Sequence, residues 1–355
     1  MQRIPQLDGL RALAILMVFA AHAFNVPFLW TGVDLFFVLS GYLITRILLR
    51  LKEQRATAGY FAAFYTRRAR RILPPYLMFL AMAGLMFSLP WAHIWYWYVF
   101  FGANFPLALG KSPSAALTPL WSLAVEEQFY LVWPLIVLCC SKQSLRRVAL
   151  ATVLLSPVIR AAATPLFSSH FPTYCLTIFR ADTLAFGAFL AVVQSEDDQW
   201  ILRNRLACLY GSISAAMLLA LLAVRPSFRP AANSILFNSL GYSLSVIIFG
   251  GALVYVLATE RGMVHSLLTS RTSRYLGQVS YSYYLYHVAI LEKMRLYVSS
   301  SWVRGITSFA LTLGVAALSW HLMEGPILQG RGRNWRIRLT KAESDAVTEL
   351  RSEVL

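Results

Sequence analysis

Apolar runs of roughly 20 residues follow one another along almost the whole chain, broken by short polar loops. Crossing the hydrocarbon core of a bilayer takes about 20 apolar helical residues. Such runs lie at 10–29, 31–49, 72–90, 91–109, 121–140, 147–167, 180–195, 206–224, 234–258, 275–292 and 302–322. The pattern predicts an all-α polytopic membrane protein. The first run has the outline of a secretion signal, since Ala21-His22-Ala23 looks loosely like a cleavage site. Asp8 and Arg11 stand where a signal would turn purely apolar, and a second apolar run follows almost at once, so 10–29 is expected to stay as a span.

Loop charge sets the orientation, because Lys and Arg concentrate on the cytoplasmic side. Residues 46–71 hold Arg46, Arg50, Lys52, Arg55, Arg67, Arg68, Arg70 and Arg71, so this stretch is expected in the cytoplasm. The turn from Asn25 to Gly32, without Lys or Arg, then lies outside. If every run spanned, Lys142, Arg146, Arg147, Arg261, Arg271 and Arg274 would also fall outside. Laying 91–109 in the outer interface, or folding it back as a re-entrant segment, flips every later loop and returns those charges to the cytoplasm. His93, Trp95, Tyr96, Trp97 and Tyr98 suit the aromatic belt at that level. The outside then keeps only Lys111, Arg225, Arg229, Lys293, Arg295 and Arg304, with Arg11, Arg160 and Arg180 inside spans. The expected topology is about ten transmembrane helices with both termini cytoplasmic.

Composition narrows the class further. The chain is 58% hydrophobic and 14% charged, against about 45–50% and about 25% in soluble domains. Its 32 Lys and Arg against 16 Asp and Glu leave a net charge of +16. A soluble basic domain needs polar surface all round, whereas these charges sit in clusters between apolar runs; nucleic-acid binding is excluded on that ground. Cys139, Cys140, Cys175 and Cys208 have neither disulfide nor metal-ligand spacing and read as apolar fillers, so no metal is expected. Residues 1–328 read as one transmembrane domain without an internal repeat. Residues 329–355 are polar and too short for a core, and read as a basic cytoplasmic tail lying on anionic lipid.

Ionisable groups inside spans cost about 2.5–3.5 kcal/mol each on insertion scales and are functional candidates by default. Here they are Arg11, His22, Asp34, Glu126, Glu127, Arg160, Arg180, Asp182, His287, His321 and Glu324. At about 1.5 Å per residue, His22 lies high on the first span. Asp34, Glu126, Glu127, Arg180, Asp182 and His287 fall at similar depth, so a cluster in the outer half of the membrane is expected. The opposite pole gathers Arg67–Arg71, His321 and Glu324. Arg11 and His22, eleven residues apart, share a helix face with Asp8. Glu126 and Tyr130 are i,i+4 neighbours, and Ser280, Tyr283, Tyr284 and His287 form a polar stripe.

The segments that carry these groups resemble the acyltransferase-3 family of integral membrane O-acyltransferases. The resemblance rests on Leu7-Asp8-Gly9-Leu10-Arg11-Ala12-Leu13-Ala14 with His22, and on Gly32-Val33-Asp34-Leu35-Phe36-Phe37-Val38-Leu39-Ser40-Gly41-Tyr42-Leu43-Ile44. It continues through Arg68-Ala69-Arg70-Arg71-Ile72-Leu73-Pro74-Pro75-Tyr76 and Trp121-Ser122-Leu123-Ala124-Val125-Glu126-Glu127-Gln128-Phe129-Tyr130-Leu131-Val132-Trp133-Pro134. Weaker echoes are Arg180-Ala181-Asp182, Ser280 to His287, and Glu324-Gly325-Pro326. The resemblance implies a ten-helix enzyme of the bacterial inner membrane that acetylates carbohydrate hydroxyls from cytoplasmic acetyl-CoA. The acceptor would be a surface polysaccharide, lipopolysaccharide or another glycan. Some members carry an extracytoplasmic esterase-like domain; only a short tail follows residue 328 here, which implies direct action or transfer to a separate extracytoplasmic protein.

On that resemblance, coenzyme A is expected to set its phosphates against Arg67, Arg68, Arg70 and Arg71, with help from Arg11, because guanidinium forks bind phosphate oxygens bidentately. His22 is expected as general base or acyl carrier, with Asp34 or Glu126 orienting it. Tyr130, Arg180, Asp182, Tyr284 and His287 are expected to hold the sugar or the developing oxyanion. The competing reading is a glycan transporter or flippase with a buried His/Glu/Arg relay. Transporters often show inverted repeats, and none is visible here.

Overall fold

The computed structural model describes residues 4–54 and 57–328. Among the described residues there is no strand, and ten helices have 17 residues or more. They are α1 (Pro5–Phe24), α2 (Gly32–Gln54), α3 (Thr57–Met86), α4 (Leu120–Cys139), α5 (Lys142–Ala163), α6 (Thr177–Glu196), α7 (Trp200–Leu222), α8 (Tyr242–Ala258), α9 (Arg271–Met294) and α10 (Ser301–Ser319). Eight of them lie in segments long and apolar enough to cross a membrane. The other two, α3 and α9, are longer than most but carry the Arg67–Arg71 cluster and the Ser/Tyr stripe. The protein is an all-α polytopic membrane protein.

Residues 91–109 form only two short helices, Trp91–Val99 and Asn104–Ala108. Nine residues rise about 14 Å, less than half the hydrocarbon thickness, so the segment does not span. Trp95, Tyr96, Phe100 and Leu109 are exposed, while buried Tyr98 offers its carbonyl to Tyr76 Oη at 2.7 Å.

The centre of the bundle is α1, α2, α6, α8 and α9. Helix α2 runs along α6 with small residues at the seam: a Cβ at Gly41 would collide with the Leu184 carbonyl, and one at Gly187 with the Val38 carbonyl. Close approach through small residues is the usual way helices associate in lipid. Helix α1 packs on α9 in the same manner, through Gly277 against the Asp8 backbone. Helices α5, α7 and α10 form the outside, with Leu154, Val158, Met217, Leu221, Leu311 and Leu318 exposed as lipid-facing residues would be. Helix α1 is a continuous element packed on α2 and α9.

Two π-helical turns shape the interior. Phe237–Gly241 leads into α8, and Trp320–Glu324 closes α10. The second places the Glu324 carboxylate on Ser282 Oγ at 2.6 Å and Ser319 Oγ at 3.1 Å. The basic tail from 329 lies outside the described residues.

Candidate functional site

Helices α1, α2, α3, α4 and α9 line one cavity. Arg11, Arg68 and Arg71 stand on its wall, with Phe36, Phe37 and Ser40 of α2, Ser122, Glu126 and Tyr130 of α4, and Ser280, Tyr281 and Tyr284 of α9. Arg11 is held by Asp8 at 3.2 Å, one turn back on α1. The Arg68 guanidinium lies 5.3 Å from the centre of the Tyr130 ring, a cation–π arrangement. Tyr130 Oη donates to Glu126 Oε2 at 3.2 Å and is hydrogen-bonded to Ser40 Oγ. Pro134 has no N–H to give the Tyr130 carbonyl one turn back; Tyr65 Oη donates to that carbonyl at 3.3 Å.

Tyr284 lines the cavity from α9. Its hydroxyl is 2.5 Å from Ser122 Oγ and 3.0 Å from the Pro119 carbonyl. Its ring centre is 5.4 Å from that of His287. Fully buried His287 in turn places Nε2 3.3 Å from Nδ1 of His22, which is exposed near the end of α1. The cavity wall thus carries three arginines and Tyr284, and the histidine pair lies behind Tyr284, off the wall itself.

A second cluster is separate and fully buried. Asp34 pairs with Arg180 and accepts from Ser245 Oγ at 2.7 Å. Asp182 pairs with Arg160 at 2.6 Å. Arg160 also donates to the carbonyls of Asn238 and Phe179, each at 2.6 Å, the former supplied by the π-helical turn before α8. The Arg180 guanidinium is 4.3 Å from the Tyr242 ring centre, with Trp121, Tyr174 and Phe37 within 6.0 Å.

The outer cluster expected from sequence thus divides. His22 meets His287, not Asp34 or Glu126, and the Asp34 carboxylate is turned to α6 and α8. The physical reason is the path of residues 25–31. After Asn25 and Phe28 adopt positive φ, the chain turns back so that Gly32 packs on Ala14, Met17 and Val18, below His22. Asp34 therefore sits deeper than a surface turn would leave it. Arg180 and Asp182 are likewise spent on ion pairs away from the cavity wall.

Arg11, Arg68 and Arg71 line the cavity, while Arg67 and exposed Arg70 do not. Glu126 lines it and Glu127 does not; Glu127 Oε1 is buried with no hydrogen-bond partner among the described residues. In the stripe on α9, Ser280 and Tyr284 face the cavity, but Tyr283 points to Phe19 and Phe309 and Tyr281 takes its place. Ser40 and Ser122, which hold Tyr130 and Tyr284, had no individual signal in the sequence.

A bundle of apolar helices around a cavity whose wall carries three arginines and a glutamate defines a class of polytopic membrane protein. The chain belongs to the acyltransferase-3 family, whose profile, described as an acyltransferase domain, matches residues 4–321. It is 30% identical over 363 residues to the peptidoglycan O-acetyltransferase OatA of Listeria monocytogenes, covering 91% of this chain and 56% of that protein. It is 30% identical over 365 residues to a putative peptidoglycan O-acetyltransferase of Bacillus subtilis, with 91% and 55% covered. A putative O-acetyltransferase of Staphylococcus aureus is 26% identical over 373 residues, with 95% and 59% covered. The chain spans little more than half the length of these relatives. No solved structure matches it.

Proposed function

We propose that this chain moves an acyl group, acetyl in the first instance, from cytoplasmic acyl-CoA to a hydroxyl of an extracytoplasmic or lipid-linked carbohydrate, in the bacterial inner membrane. The observation that carries this reading is the cavity whose wall holds both Arg11, Arg68 and Arg71 and Tyr284, the ring next to the histidine pair. Coenzyme A sets its phosphates against Arg68 and Arg71, and its thioester reaches toward Tyr284. His22 takes the proton of the acceptor hydroxyl as that oxygen attacks the thioester carbonyl. The C–S bond breaks, and the departing thiolate receives the proton from His22. Glu126, Tyr130 and Ser40 form the polar wall along the acyl arm. Asp34 acts at a distance, by holding Arg180 and the start of α2.

The names of the relatives make a peptidoglycan-type glycan the first acceptor to try; a separate extracytoplasmic acyl-carrying protein is the alternative. The experiment is purified protein in liposomes, with labelled acetyl-CoA on one side and glycan on the other. Label in the glycan only when acetyl-CoA is supplied supports the acyltransferase. Counterflow of unmodified glycan without acetyl-CoA would make the chain a transporter instead.

A further inference from the structure

His22 and His287 are bound by two main-chain carbonyls, which fix where their protons lie. His287 Nδ1 is 2.6 Å from the Tyr284 carbonyl oxygen. A carbonyl only accepts, so Nδ1 carries the hydrogen and Nε2 of the neutral ring is a bare lone pair. His22 Nδ1 is 2.9 Å from the Val18 carbonyl oxygen and so carries a hydrogen too. The same His22 N–H faces His287 Nε2 at 3.3 Å, a bond shared between two acceptors. What remains is the His22 Nε2 lone pair, on the exposed ring at the end of α1.

We infer that His287 is the positioning partner of His22, fixing the aim of its ring through Nε2 beside the Val18 carbonyl and accepting a hydrogen bond from the Nδ1–H of the imidazolium that forms during transfer. The inference rests on the proposed role of His22 as base. The place usually given to a carboxylate is here given to a neutral ring. Asp34 is bonded to Arg180 and Ser245, and Glu126 to Tyr130. A carboxylate facing a resting, neutral His22 would be an uncompensated charge out of water, whereas His287 supplies a lone pair with no charge to desolvate.

The proton balance is closed. As the acceptor C–O bond forms, its O–H proton moves to His22 Nε2. As the C–S bond breaks, that proton passes to the coenzyme A thiolate. His287 keeps its own proton throughout, on Nδ1 against the Tyr284 carbonyl. Because Tyr284 also lines the cavity, the residue that meets the acyl arm with its side chain orients the partner of the base, His287, through its backbone.

Acetyl transfer is measured for His287→Leu, which removes the lone pair, and His287→Gln, whose amide oxygen restores an acceptor, beside His22→Ala. His287→Leu is expected to lower kcat by about 100-fold or more, in the range of general-base effects, with KM for acetyl-CoA unchanged. His287→Gln is expected to recover at least about tenfold of that loss. Wild-type turnover in His287→Leu beside an inactive His22→Ala overturns the positioning role and leaves the base intact. Wild-type turnover in His22→Ala overturns the base itself. Nitrogen-15 spectra of histidine-labelled wild-type protein give a reading that needs no variant to fold: His22 with a protonated Nδ1 and a bare Nε2 is expected, and the opposite tautomer overturns the proposal.

Discussion

Asp34 and Arg180 are bonded to each other between α2 and α6, and neither reaches His22. The pair is sealed from solvent, with Ser245 on the carboxylate and the Tyr242 ring against the guanidinium. It joins the two helices whose glycines interlock at Gly41 and Gly187, and so sets the start of α2 against the rest of the bundle.

Removing one member of such a pair leaves the other charge buried alone, a loss of about 3–5 kcal/mol. Asp34→Asn is therefore expected to unfold at a clearly lower temperature in detergent than the wild type. Wild-type thermal stability combined with lost activity would instead place the carboxylate in the chemistry.

The α2–α6 seam gives a second test. Gly187→Val drives a side chain into the Val38 carbonyl and is expected to yield little folded, monodisperse protein. Gly211→Ala, in α7, meets nothing within 4 Å. It is expected to fold as well as the wild type or gain up to about 1 kcal/mol, since alanine outranks glycine in a helix. Equal yields of the two variants would contradict the packing.

The arginines separate by position. Arg68 and Arg71 line the cavity and Arg70 is exposed away from it. A charged hydrogen bond contributes about 1.5–3 kcal/mol, so Arg68→Ala and Arg71→Ala are each expected to weaken acetyl-CoA binding by about 10- to 100-fold. Arg70→Ala is expected to bind as the wild type does. Titration of labelled acetyl-CoA reads all three, and equal affinities would reduce the cluster to a topological anchor.

The helices were legible because hydropathy and loop charge are local quantities. The non-spanning 91–109 segment followed from the charges of loops after it, and it proves to be two short helices. Contacts within one helix were legible for the same reason, as with Glu126 and Tyr130, or Asp8 and Arg11. What could not be read was which helices face each other. Asp34 and Arg180 are 146 residues apart, and nothing local marks them as partners. Depth does not follow from a count of residues where the chain turns back after Asn25, since such a count assumes the next helix begins at the surface. On α9, adjacent Tyr283 and Tyr284 point about 100° apart, so only Tyr284 reaches the cavity wall, while Tyr283 packs on Phe19 and Phe309.

The most direct test of the central claim is transfer of labelled acetyl from acetyl-CoA to a glycan by membranes or proteoliposomes holding either the wild type or His22→Ala. The wild type is expected to label the acceptor. His22→Ala, inserted and folded to the same level, is expected to bind acetyl-CoA at Arg68 and Arg71 yet leave the glycan unlabelled. Wild-type labelling by that variant would contradict a transfer that depends on His22.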